Sequence, residues 1–89
     1  MSDNEMKMRA KVRVSAVLPY QSEGKTHSVR LMFAGVSAST YPEDGTDENN
    51  SFAKWSPSVV FDMQVTNPAL MDAFAVGDTF YVDFTPAPK

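Results

Sequence analysis

Met6-Lys7-Met8-Arg9-Ala10-Lys11-Val12-Arg13-Val14-Ser15-Ala16-Val17-Leu18 is the stretch that decides the fold class. Its even positions are apolar throughout, and its odd positions from Lys7 to Arg13 are all cationic. A period of two marks a strand with one buried and one wet face, whereas a helix would scatter the four cations around its circumference. The stretch reads as a long β-strand with a basic outer face. Pro19 is expected to stop it, because proline cannot donate to a ladder. The polar run Gln21-Ser22-Glu23-Gly24-Lys25 then reads as a turn.

Working outward, a second strand is expected from Thr26 to Val36, forming an antiparallel hairpin with the first. Val29, Leu31 and Phe33 share one face, and Arg30, Met32, Ala34 and Val36 share the other, which suits a central strand. Residues 39–51 carry Glu43, Asp44, Asp47 and Glu48 among turn-forming residues, and read as a long solvated loop. Ser51 to Trp55 is expected as a short strand before Pro57, and Ser58 to Thr66 alternates again. Asn67-Pro68 has the chemistry of a helix start, with one to two turns over Ala69–Phe74 directing Leu70, Met71 and Phe74 inward. Val76-Gly77-Asp78 turns the chain into a last strand, Thr79 to Thr85. The expected architecture is one all-β, mainly antiparallel domain over residues 6–85. It is a small barrel or sandwich, with an OB-like arrangement among the options, and has one short helix before the last strand. Residues 1–5 are expected as a flexible tail and residues 86–89 as a second tail.

The 89 residues suit one domain with a thin core, for which oligomerisation is a useful supplement. The absence of Cys excludes disulfide frameworks and Cys-based zinc sites. A single His makes His-dependent catalytic sets and His-rich metal sites improbable. No run of about 18 apolar residues is present, so no membrane-spanning helix is expected, and no secretory signal is visible. A net charge of −3 argues against a wholly basic nucleic-acid binder but allows a local patch.

Lys7, Arg9, Lys11 and Arg13 recur every ~6.7 Å along one face, a spacing that suits an extended phosphodiester strand. It equally suits an acidic protein surface, or simply the wet face of a strand whose Lys residues discourage edge pairing. Tyr20, Tyr41, Trp55 and Tyr81 are the aromatics available for stacking, with contacts expected of Tyr41 and Trp55, yet none is interleaved with the cationic row in sequence. A Tyr or Trp near a strand end more often seals a core. The acidic loop lacks the alternate oxygen ligands of an EF-hand: Asp44 and Asp47 are out of step, and the twelfth position from Asp44 is Trp55. His27 has no catalytic companion. Asp62 and Asp83 are the one carboxylate pair a glycosidase would use, and no glycine-rich phosphate loop is present. The expectation is therefore a non-enzyme with no catalytic residues, no metal and no cofactor.

The order Ser51-Phe52-Ala53-Lys54, Ser56-Pro57-Ser58, Val65-Thr66-Asn67-Pro68, Val76-Gly77-Asp78 and Tyr81-Val82-Asp83-Phe84-Thr85-Pro86-Ala87, after an opening Met-Lys-x-Arg-Ala-Lys-Val-like strand, resembles small β-rich proteins encoded in tailed-bacteriophage genomes. The resemblance runs from Met6 onward and implies a viral context with no catalytic residues to carry over. The expected function is a non-enzymatic virion-associated protein, a capsid decoration or cement protein. Its partners would be viral structural proteins or further copies of itself, met through the basic face and the acidic loop. One alternative is an intracellular phage barrel that binds single-stranded nucleic acid or nucleotides. The other is an inhibitor of a host protein. Location in the virion or the host cytoplasm follows from these readings.

Overall fold

The computed structural model describes residues 8–89. The expectations for residues 1–5, Met6 and Lys7 lie outside the described residues. Four strands form one sheet: β1 (Met8–Ser22), β2 (Lys25–Gly35), β3 (Val60–Val65) and β4 (Thr79–Phe84). Their order is β3-β2-β1-β4, and every neighbouring pair is antiparallel. The chain is thus all-β and antiparallel. The sheet is open, with β3 and β4 at its edges, and no pairing among the described residues closes it into a barrel.

β1 is longer than its sequence suggests. It runs through Pro19, which lies opposite Val29. β4 accompanies β1 only from Met8 to Arg13, so Pro19 sits where β1 is itself an edge and a missing donor is tolerated. The alternation also does not persist to Leu18. Register slips between Val14 and Ala16, so Ser15 is the extra residue of a β-bulge, and its hydroxyl donates to the Met32 carbonyl at 3.1 Å. Beyond the bulge the parity reverses. Val17, not Leu18, packs on the core, and Leu18 is 48% exposed. The expected five-residue turn is a tight one at Glu23-Gly24, where both residues have positive φ (54° and 77°), as a two-residue hairpin loop of the right twist requires.

The core is a single apolar face. Ala10, Val12 and Val14 of β1 meet Val29, Leu31 and Phe33 of β2. The chain from β3 to β4 crosses this face and lays Met71 and Phe74 on it. The expected helix in that crossing is a single 3-10 turn, Pro68–Leu70, and Asn67 caps it as its sequence implies, accepting from the Ala69 N–H at 3.0 Å. The expected strand at Ser51–Trp55 reduces to one bridge between Thr46 and Lys54.

The largest departure is the acidic loop, which is packed and not simply solvated. β2 ends opposite Val12, leaving the backbone of β1 at Arg9 and Lys11 without a strand on that side. Loop groups take its place. Val36 N–H donates to the Lys11 carbonyl (2.9 Å), and Asn50 Oδ1 accepts from Lys11 N–H (2.7 Å). Ser51 N–H donates to the Arg9 carbonyl (2.9 Å), while Ser51 Oγ accepts from Arg9 N–H (2.8 Å). Side chain and backbone together continue the ladder that β2 abandons. Asn50 is fully buried for this reason, since an unpaired backbone group there would cost about 1–3 kcal/mol.

Candidate functional site

The outer face of the sheet carries Arg9, Lys11 and Arg13, as expected. The fold changes what they offer. Arg9 lies opposite Asp83 on β4 and binds its carboxylate with both Nε (2.7 Å) and Nη2 (3.1 Å). That hydrogen bond and the charge of Arg9 hold the Asp83 carboxyl below the usual range. The guanidinium also lies 4.4 Å from the centre of the Tyr81 ring. Tyr81 stands opposite Lys11, and its hydroxyl donates to Asn49 Oδ1 at 3.1 Å. An aromatic does therefore stand within the basic row, supplied by β4 and invisible in the sequence of β1. Arg30 and Asp62 make a second bidentate pair between β2 and β3. Asp62 and Asp83 are consequently an arginine partner each, on opposite edges of the sheet. Three strand spacings of about 4.8 Å separate those edges, beyond the reach of a glycosidase pair.

The residues proposed for the acidic loop divide in two. Glu43, Asp44 and Glu48 are exposed, and Asp44 is spent on a local turn, accepting from both the N–H and the hydroxyl of Thr46. Asp47 is buried. Burial pushes its carboxyl up, but donations from Ala38 N–H (3.0 Å), Asn49 N–H (2.9 Å) and Tyr41 Oη (3.3 Å) outweigh this and hold it below the usual range. It is a structural hub and not a contact residue. Tyr41 and Trp55, the expected aromatic contacts, face each other with ring centres 5.6 Å apart. Trp55 lies so close over Gly45 that a Cβ there would stand 2.3 Å from the indole. The loop is anchored beside the basic strand, so the two charged segments are neighbours.

Sequence reasoning did not anticipate an apolar groove on the inner face. Between the crossing chain and the sheet lies an open groove of about 290 Å³, floored by Val12 and lined by Phe33, Phe61, Met63, Phe74, Phe80 and Val82. Every lining residue is apolar. Phe33, Phe74 and Phe80 make a mutual aromatic cluster with ring centres 5.3 to 6.4 Å apart. Met63 is 51% exposed, Phe80 37% and the adjacent Phe84 41%. A signal was present in the sequence: four strands each with an apolar face, and only a dozen crossing residues to cover them.

Among the described residues, no three His, Asp or Glu side chains are placed to hold a metal ion, and no helix is long and apolar enough to cross a membrane. Comparison with protein-family models, curated proteins and solved structures finds no match for this chain.

Proposed function

We propose that this chain is a non-enzymatic, virion-associated protein, a small capsid decoration protein that acts through protein–protein contacts on its inner sheet face. The observation that carries the reading is the apolar groove with Met63 and Phe80 exposed along it, and Phe84 exposed beyond it on the same face of β4. A single-layer sheet leaves that surface in water, and contiguous apolar surface of this kind is the usual mark of a docking site. Burying it returns about 25 cal/mol per Å², and aromatic anchors set in a concave floor are the side chains that dominate protein interfaces. The viral context comes from the resemblance of the chain to small phage-encoded proteins. The test is recovery of the protein in purified particles. Phe80→Ser, checked for an intact fold, is expected to lose attachment. Wild-type protein found in infected-cell extract but never in particles would end the reading.

A second reading, single-stranded nucleic acid on the outer face, is favoured by one observation: Tyr81 stands across from Lys11, giving the stacking platform that such binders use. Against it, Arg9 is already committed to Asp83 and covers the Tyr81 ring.

A further inference from the structure

The outer edge of β3 has no role in the docking reading. Gly35 N–H donates to the Val59 carbonyl at 2.9 Å, and the ladder continues in that register to Val29 opposite Val65. Bonded and non-bonded pairs alternate along an antiparallel ladder. Phe61, Met63 and Val65 therefore exchange bonds with β2, while the N–H and C=O groups of Val60, Asp62 and Gln64 point away from the sheet. No strand lies beside them among the described residues. Two apolar side chains of the strand are open as well: Val60 is 69% exposed and Met63 51%. Natural edges are usually guarded by lysine or other charged side chains, an internal proline or a bulge. β3 has no lysine, proline or bulge, and its one charged residue, Asp62, is engaged by Arg30 of the neighbouring strand.

We propose that β3 is a self-association edge, where a second copy of this chain pairs its own β3 antiparallel about a two-fold axis to make a continuous eight-stranded sheet. The strand is complementary to itself, because the two-fold keeps Phe61, Met63 and Val65 of both copies on one face. Two central registers bring the outward-pointing groups together. One crosses at Asp62 and sets two carboxylates directly opposite each other, which is less favourable than a carboxylate opposite an amide even with each held by its own Arg30. The other crosses at Met63 and sets Asp62 opposite Gln64 of the second copy. Charge selects the second. Met63 then faces Met63 in a non-hydrogen-bonded pair, with Cα atoms about 4.5 Å apart, and the two apolar grooves meet across the seam. The opposite edge is less open. On β4 the Tyr81 ring is held by Arg9 and Asn49, and the strand runs on into Pro86 and Pro88. A β3-to-β4 pairing would in addition be head-to-tail, which satisfies both edges only if a ring of copies closes.

The experiment is sedimentation velocity over a wide protein concentration range, with three variants. Wild type is expected to populate a species of twice the chain mass. Gln64→Pro removes an outward backbone donor and leaves the backbone ladder to β2 in place, giving up only the Gln64 Nε2 donation to Ser28 Oγ, and Met63→Lys installs an edge guard. Each should weaken the dimer at least about tenfold while circular dichroism shows the sheet retained. Met63→Cys tests the register in a chain that has no other cysteine. Mild oxidation by dissolved oxygen, which takes two electrons and two protons from the thiol pair, should join two copies by a disulfide, and Asp62→Cys should not be joined. A monomer at every concentration overturns the proposal, as does a dimer indifferent to Gln64→Pro and Met63→Lys. Preferential cross-linking of Asp62→Cys overturns the register. Phe80→Ser, the docking variant, is expected to leave the dimer intact, so failure of the docking reading and failure of this one are separately visible.

Discussion

Val12 sits where β1 has a strand on both sides, opposite Gly35 and Phe80, and is fully buried. Val12→Asp places an unpaired charge in the core and is expected to cost at least about 3 kcal/mol. Lys11→Ser, one residue away on the outer face, should cost under about 0.5 kcal/mol. Comparable melting of the two variants would overturn the register. Gly45 is constrained twice, by a φ of 77° and by the Trp55 ring above it. Gly45→Ala should loosen the loop by about 1–3 kcal/mol, read as a lower melting temperature with a change in Trp55 fluorescence. Asp47 supplies a pH dependence. Its carboxyl is held below its ordinary value when folded, so its contribution is present above that ordinary value, near pH 4, and is lost as pH falls through the lower folded value. Asp47→Asn should flatten the acid limb of a stability–pH curve and lower stability at neutral pH. An unchanged acid limb would exclude Asp47 as its source.

At the scale of elements, the loop behaves as a surrogate strand. It supplies Asn50 and Ser51 to the part of β1 that β2 does not reach, and Asp47 ties its two ends together. Changing Glu43, Asp44 and Glu48 together to Ser is expected to move the melting temperature little, since exposed charges are worth little. Adding Asp47→Ser to that set should lower it by several degrees. Thermal melts of the triple and quadruple variants decide this, and equal melts would mean that the hub is not one. The alternation of β1 and β2 was legible because period two is a local property. The bulge at Ser15 was not, because a register slip is defined by what the partner strand presents. The crossing was read as a helix on the strength of Asn67-Pro68. The cap formed, but three residues of 3-10 turn satisfied it, and packing of Met71 and Phe74 on the sheet fixed the rest.

For the whole molecule, the outer face offers a direct measure of its electrostatics. Of Arg9, Lys11 and Arg13, Arg9 is engaged by Asp83. If single-stranded DNA binds through the described part of the row, the logarithm of affinity should fall against the logarithm of salt with a slope near −1.4, about −0.7 for each of Lys11 and Arg13. A slope near −3 would mean that more phosphates are met than Lys11 and Arg13 explain, and no binding at low salt would remove that reading. Legible in the sequence were the all-β class, the hairpin of β1 with β2, the burial of Val12 and Val14, the shared face of Val29, Leu31 and Phe33, and the outward row of Arg9, Lys11 and Arg13. Each follows from alternation between neighbours along the chain, and a strand carries that information wherever it is placed. Tertiary structure alone decided the rest: that the sheet stays open, that β4 brings Asp83 and Tyr81 against Arg9 and Lys11, that Asp47 is interior, and that the apolar face is only half covered. These depend on which distant segments become neighbours, and residues 74 positions apart, as Arg9 and Asp83 are, leave no periodic trace of their meeting.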